Sequence, residues 1–257
     1  MHPVVWQLGP FTIRSYGILI SIAFAIGIWL AVRRGRTRGL DPSQMTDLCI
    51  VILVSSIAGA RLLYVIPYWE EYAARPLRLL AVWEGGLTMY GGLLAAVLAS
   101  IVFTRRKGMP FWTVSDVTAP SIALGLGLTR IGCFLNGCCF GLPTGLRWGV
   151  RFPPHSAAGA EFYGIPIHPT QLYAALGGFA LFVGLLLVEK RIRGEGRLFL
   201  LLIMAYGVLR LVLDHFRFYE DVSVLALGSS SLSWNQWLSL GLIVAAGILY
   251  LRQGSHR

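Results

Sequence analysis

Apolar residues fall into seven long runs bounded by charges or turn residues, at approximately 16–32, 48–68, 87–103, 117–134, 172–188, 198–213 and 238–251. A helix needs roughly 20 mostly apolar residues to cross the hydrocarbon of a bilayer. Backbone in lipid must satisfy its polar groups internally, so runs of this length predict helices rather than strands. The expected fold class is all-α, a polytopic integral membrane protein of about seven transmembrane helices. The third, fourth and last runs are short or interrupted by glycine. Between the fourth and fifth lies the longest polar stretch, residues 137–170, turn-rich and long enough to read as a functional loop.

Composition supports a lipid solvent. Hydrophobic residues make up 56% of the 257 and charged residues only 13%, about half the share of an average soluble domain. The charges are unevenly signed, 22 Lys+Arg against 12 Asp+Glu for a net +10. In a soluble protein that excess would suggest nucleic acid, but here its placement follows helix ends. Arg33, Arg34, Arg36 and Arg38 follow the first run, and Arg105, Arg106 and Lys107 the third. Lys190, Arg191, Arg193 and Arg197 follow the fifth, and Arg252 and Arg257 close the chain, so these ends hold 13 of the 22 basic residues. The opposite ends carry Glu70, Glu71, Glu84, Glu161, Glu220 and Asp221. Because Lys and Arg favour cytoplasmic loops, the expected orientation is N-terminus outside and C-terminus cytoplasmic, with no nucleic-acid partner. The first residues lack a basic stretch and a small-residue cleavage site, so the first run is expected to stay rather than be removed as a signal peptide.

An ionisable side chain inside a spanning helix costs at least ~2.5 kcal/mol and is a functional hypothesis by default. Arg61, Arg130 and Arg210 each lie within or near the end of an apolar run. Three guanidinium groups from different helices would repel unless an anion neutralised them, and a phosphate-bearing lipid headgroup suits their bidentate geometry. Arg61 could instead snorkel or serve packing, and Arg210 could pair with Asp214 four residues on. Gly85, Gly86, Gly91 and Gly92 bracket Tyr90, which fits either close helix packing or a backbone opened around a shielded cavity. Tyr16, Tyr64, Tyr90, Tyr173 and Tyr206 sit near run ends as interfacial anchors, with Tyr206 on the helix face of Arg210.

Cys133, Cys138 and Cys139, with His155 and His168 nearby, invite a zinc reading, but C-x4-C-C is not a usual ligand spacing. Adjacent Cys138 and Cys139 cannot both form a disulfide with Cys133. Small buried filler is the expected role, and no metal or cofactor is expected.

The segment TRIGCFLNGCCFGLPTGLRWGVRFP resembles the signature region of the prolipoprotein diacylglyceryl transferase family of bacterial inner-membrane enzymes. RSYG at 14–17, GARLLYV around Arg61, GGLTMYGGLL around Tyr90, HPTQLY at 168–173 and YGVLRLVLDHFR at 206–217 follow in the family's order. The resemblance implies one membrane-embedded catalytic domain over 1–257, with a periplasm-side loop at about 137–171. It implies transfer of the diacylglyceryl group of phosphatidylglycerol to the lipobox cysteine of prolipoprotein signal peptides, giving a thioether and glycerol phosphate, by a multi-pass protein of the bacterial inner membrane. Its partners would be phosphatidylglycerol, the prolipoprotein and the lipid bilayer.

Carried onto this chain, the resemblance gives Arg130 and Arg210 the headgroup and leaving group, and makes Tyr16, Tyr90 and Tyr206 catalytic candidates. Arg61, Asn136, Gly137, Gly141, His168, Gln171, Asp214 and Arg217 join Arg130 as substrate-binding candidates. Tyr90 departs from the family, whose best-known members have histidine there as the proposed base for the thiol proton. Tyrosine, with a pKa near ~10, is a weak base unless ionised. Tyr90 is therefore expected to orient substrate while positive charge favours the thiolate directly. Cys133 and Cys138 also replace polar residues of some members, and Asp214 stands where glutamate is common. A small membrane transporter or channel for an anionic substrate is the alternative, and would call for an inverted repeat that the motifs do not show. A non-catalytic scaffold would have no reason to place arginines in lipid.

Overall fold

The computed structural model describes residues 4–8, 11–219, 224–227 and 230–253. Glu220, Asp221 and Arg257, counted above for topology, lie outside the described residues. Nine α-helices occur among those described: α1 Ser15–Thr37, α2 Pro42–Val65, α3 Trp69–Ala74, α4 Met89–Arg106, α5 Phe111–Asn136, α6 Ala157–Glu161, α7 Thr170–Val188, α8 Arg197–Asp214 and α9 Trp234–Arg252. All seven apolar runs are helical, with shifted ends. The second stops at Val65 because Pro67 has no N–H to continue it, and the chain tightens into a 3-10 turn at Ile66–Tyr68. Its start is set by Asp41, whose carboxylate accepts from Ser43 N at 3.2 Å and Gln44 N at 3.4 Å, with Pro42 in the first turn.

Six helical stretches are long and apolar enough to cross a membrane, and the chain is a multi-pass membrane protein. Among the seven, α8 falls outside that set, since Arg197, Arg210 and Asp214 interrupt its 18 residues. Large apolar side chains such as Trp29, Val54, Leu62, Leu176 and Leu251 face outward, as they must when lipid replaces water around the helices. Two short antiparallel hairpins add what the all-helical expectation omitted: β1 Val4–Leu8 with β2 Phe11–Arg14, and β3 Val224–Leu227 with β4 Ser230–Ser233. Leu8 pairs with Phe11 in the first and Leu227 with Ser230 in the second.

The chain divides into two compact units, residues 31–114 and residues 1–30 with 115–257. In the smaller unit α2 packs on α4. A Cβ on Gly91 would lie 2.6 Å from the Leu63 Cβ, and one on Gly92 would lie 3.0 Å from the Ser56 carbonyl oxygen. The second glycine pair therefore serves close helix approach.

In the larger unit Ala119 and Ala123 of α5 meet Leu185 of α7 and Leu198 and Leu202 of α8. This packing is locked by Asp116 of α5, whose carboxylate accepts from the backbone N–H groups of Gly196 (2.7 Å) and Phe199 (2.9 Å) at the start of α8. A carboxylate there satisfies orphan amides and complements the helix dipole. Asp116→Ala is expected to cost roughly 1–2 kcal/mol, measurable as a lower melting temperature of the detergent-solubilised protein. The segment between α5 and α7 has its own small core, where Phe152, Ala158 and Ile167 are buried against Phe134, Phe140, Val150 and Phe162.

Candidate active site

In the larger unit α5, α7 and α8 line a small cleft formed by Leu126, Arg130, Ala174, Gly178, Tyr206, Leu209, Arg210 and Leu213. Its polar groups are two guanidiniums and one phenol in an otherwise apolar wall. Arg130, half-buried near the end of α5, interacts with the Tyr206 side chain. Tyr206 and Arg210 are one turn apart on α8 and share a face. An anion with an apolar body fits such a lining, because each guanidinium can offer parallel N–H donors to phosphate oxygens.

Arg210 is held from the side. Its Nε lies 3.3 Å from the Asp214 Oδ1, so the intrahelical pair left open by the sequence exists. Its Nη2 donates to the Tyr219 hydroxyl at 2.8 Å, and that hydroxyl donates to the Asp214 Oδ1 at 2.7 Å. The other Asp214 oxygen accepts from the Ser233 hydroxyl at 3.2 Å. Ser233 also caps α9 in a reciprocal capping box with Gln236. Burial pushes the Tyr219 phenol up to about 12, so it stays protonated and can both donate to Asp214 and accept from Arg210. Asp214, 7% exposed, is thus engaged by Arg210, Tyr219 and Ser233.

Beyond α5 the chain turns sharply. Gly137 has φ 72°, and a Cβ there would stand 2.6 Å from the Ser156 Cβ. Two residues on, Cys139 adopts φ 59°, the one positive φ of a non-glycine among the described residues. The first turn of α7 clamps this bend. The Thr170 hydroxyl donates to the Cys139 carbonyl at 3.0 Å, and the Gln171 Nε2 donates to the Cys138 carbonyl at 2.8 Å. Gln171 is buried and its Oε1 has no hydrogen-bond partner among the described residues. Gly141 bridges to Arg217, and Leu142 N donates to the Phe216 carbonyl at 2.9 Å.

The bend gathers the three cysteine sulfurs, which all lie within 4.8 Å of one another. Arg130 and Arg217 both act electrostatically on the Cys139 thiol, and Tyr16 of α1 feels all three cysteines as well as Arg130. Arg217 lies over the Tyr219 ring at 5.1 Å and keeps a buried Nε without a hydrogen-bond partner among the described residues. Asn136, the last residue of α5, interacts with Cys138. His168 Nδ1 is 3.3 Å from the Tyr173 hydroxyl, which accepts from the Trp148 Nε1 at 2.8 Å.

The smaller unit holds Arg61 and Tyr90. Arg61 is 5% exposed and spends all five N–H groups on backbone carbonyls. Nε donates to Leu79, Nη1 to Gly85 and Gly86 at 2.7 and 3.1 Å, and Nη2 to Arg78 and Ala81 at 2.6 and 3.4 Å. Tyr72 stacks near its guanidinium, 5.1 Å from the ring centroid. Arg61, expected among the substrate-binding residues, turns its donors onto these carbonyls and pins the 78–86 segment. Gly85 and Gly86, at φ 92° and 70°, open the backbone that turns these carbonyls inward. The first glycine pair thus serves the Arg61 contacts and the second the close approach of α2 and α4. Arg61→Lys is expected to destabilise the protein by roughly 2–4 kcal/mol, because an ammonium leaves buried carbonyls unpaired. Thermal melting reads the loss. Tyr90 opens the first turn of α4 and is 47% exposed.

Several contributors were not singled out from the sequence. Asp116 stands just before the fourth apolar run, where a bounding charge draws no notice. Thr170, Ser233, Trp148 and Tyr219 act through tertiary contacts that leave no mark on spacing.

The fold defines a class, a multi-pass integral membrane protein, with two arginines and a tyrosine set in an otherwise apolar cleft. The model of the prolipoprotein diacylglyceryl transferase family matches residues 3–252. The chain belongs to that family. It is 35% identical over 256 residues to a phosphatidylglycerol–prolipoprotein diacylglyceryl transferase of Bordetella bronchiseptica, covering 98% of this chain and 95% of the relative. A Parasynechococcus marenigrum protein of the same description is 42% identical over 192 residues, 73% of this chain and 68% of its own. One from Bordetella avium is 35% identical over 254 residues, covering 97% and 93%.

Proposed function

We propose that this protein transfers the diacylglyceryl group of phosphatidylglycerol to the lipobox cysteine of a prolipoprotein, the first step of bacterial lipoprotein maturation. The observation that carries the reading is the convergence of Arg130, Arg210 and Tyr206 on one apolar cleft in a chain of this family. The acceptor thiolate attacks the glyceryl carbon that bears the phosphate. The carbon–oxygen bond breaks, and its electron pair leaves with glycerol phosphate. That phosphate gains negative charge as it departs, so guanidiniums aimed at it bind the transition state more tightly than the ground state.

Arg130 and Arg210 are the catalytic residues in this scheme, with Tyr206 beside Arg130 and Tyr16 near the thiols. Asp214 and Tyr219 position Arg210, while Thr170, Gln171, Gly137 and Gly141 shape the bend. His168 and Asn136 line the signature loop, where the peptide would be received, and Arg217 supplies positive charge. The protein works in the bacterial inner membrane with its N-terminus outside and the 137–171 loop on the outer face, as one catalytic domain. Tyr90 orients substrate, so Tyr90→Phe is expected to keep most of the activity with an unchanged pH profile. A profile that loses its basic limb in this variant would make the phenol the proton acceptor.

The test is transfer by the purified protein in vesicles containing labelled phosphatidylglycerol. A lipobox peptide with cysteine is expected to gain the diacylglyceryl label and its serine counterpart is not. Failure of a cysteine peptide and of a full prolipoprotein to gain label would remove the proposal.

A further inference from the structure

C-x4-C-C is too irregular to be recognised as a ligand pattern, yet the fold brings all three sulfurs within 4.8 Å. The turn is made by left-handed Gly137 and, two residues later, left-handed Cys139. A non-glycine residue in that region is strained, and such strain persists only where the surroundings enforce it and accumulates at functional sites. The surroundings here are the Thr170 and Gln171 side chains, which hold the carbonyls of Cys139 and Cys138. Filling space would need neither the strained φ nor the double clamp.

Three convergent sulfurs form a soft donor set of the kind that selects zinc over harder divalent ions. Three thiolates around a divalent ion leave one net negative charge, and Arg130 and Arg217 act on this cluster to offset it. Structural zinc sites are closed by four protein ligands, whereas reactive ones keep a position open. Among the described residues no histidine, aspartate or glutamate joins the three cysteines. Cys133 is buried while Cys138 and Cys139 remain partly accessible, so the cluster has a closed floor and an open mouth.

We propose that Cys133, Cys138 and Cys139 bind a zinc ion through three thiolates, and that its fourth position takes the acceptor thiol. This rests on the diacylglyceryl transfer reading and deepens it. On binding, the acceptor S–H gives its proton to solvent and its sulfur becomes a metal-held thiolate. A second lone pair on that sulfur attacks the glyceryl carbon as the carbon–oxygen bond breaks, and the electron pair departs on the phosphate beside Arg130. The thioether, a weaker ligand than a thiolate, then leaves the ion, and no oxidant or reductant is consumed. Metal-assisted ionisation would supply what Tyr90 supplies poorly, a thiolate at neutral pH.

The test uses the full-length protein, purified in detergent with reductant, stripped with a chelator and titrated with Co²⁺ alone. One ion per chain is expected, with a thiolate-to-cobalt charge-transfer band and the visible bands of a tetrahedral site. Zinc should abolish both. Cys139→Ser should lose the charge-transfer band, whereas Cys49→Ser, in α2, should retain it. A cysteine lipobox peptide should shift the visible bands and its serine counterpart should not. No charge-transfer band in the reduced wild-type protein, an unchanged band in Cys139→Ser, or bands unmoved by the cysteine peptide would each overturn the proposal. The wild-type spectra decide even if a cysteine variant fails to fold. Because the spectra need no turnover, thioether formation without a cobalt site removes the metal alone, and a thiol-sensitive site without thioether formation removes the transfer reading.

Discussion

Arg130→Lys is expected to lower the rate of diacylglyceryl transfer by about 10²–10³-fold, the usual size of losing one preorganised donor to a developing negative charge. The cleft is apolar apart from Arg130, Arg210 and Tyr206, so few other groups can meet the departing phosphate. Lysine keeps the charge but not the planar fork that meets two oxygens at once. The loss should appear mainly in kcat, since the leaving oxygen gains charge only as the bond breaks. Initial rates across a range of phosphatidylglycerol content in mixed vesicles separate kcat from KM. A rise in KM alone would make Arg130 a binding residue and nothing more.

Arg210→Lys is expected to cost about 10²-fold and to carry a second consequence that Arg130→Lys lacks. Arg210 is oriented by Asp214 at 3.3 Å and by Tyr219 at 2.8 Å, and Asp214 also receives the capping Ser233 of α9. Lysine keeps a charge but cannot reproduce the guanidinium's simultaneous contacts with Tyr219 and a carboxylate only 7% exposed, so the fold is destabilised as well as the transition state. Tyr219→Phe gives the contrast. It removes the hydroxyl between the two charges but leaves their direct pair, so a loss of about tenfold in kcat is expected, with melting changed by roughly 1 kcal/mol. Equal losses in Tyr219→Phe and Arg210→Lys would mean that the held orientation of Arg210, not its planar fork, is what matters.

The long helices were legible because lipid imposes one rule on a spanning segment, and runs such as 172–188 satisfy it without help from tertiary contacts. The hairpins were not, since strands as short as Phe11–Arg14 carry too few residues for a period to register. Arg130 and Arg210 stood out by the cost of their charge in an apolar run. Arg61 stood out by the same signal and serves another end, because five carbonyls of a segment some 20 residues away satisfy it. The cost of a buried charge is visible in sequence, whereas what neutralises it is set by packing. The cysteine cluster was hidden for a related reason, as the spacing of ligands shows only when the backbone between them is regular.

If the two arginines stabilise a phosphate leaving on carbon–oxygen cleavage, phosphatidylglycerol labelled both in the diacylglyceryl group and in the phosphate must part its labels. The first is expected on the peptide as a thioether and the second in water-soluble glycerol phosphate, in equal amounts. Phosphate label retained on the peptide, or diacylglyceryl label released without a thioether, would contradict it.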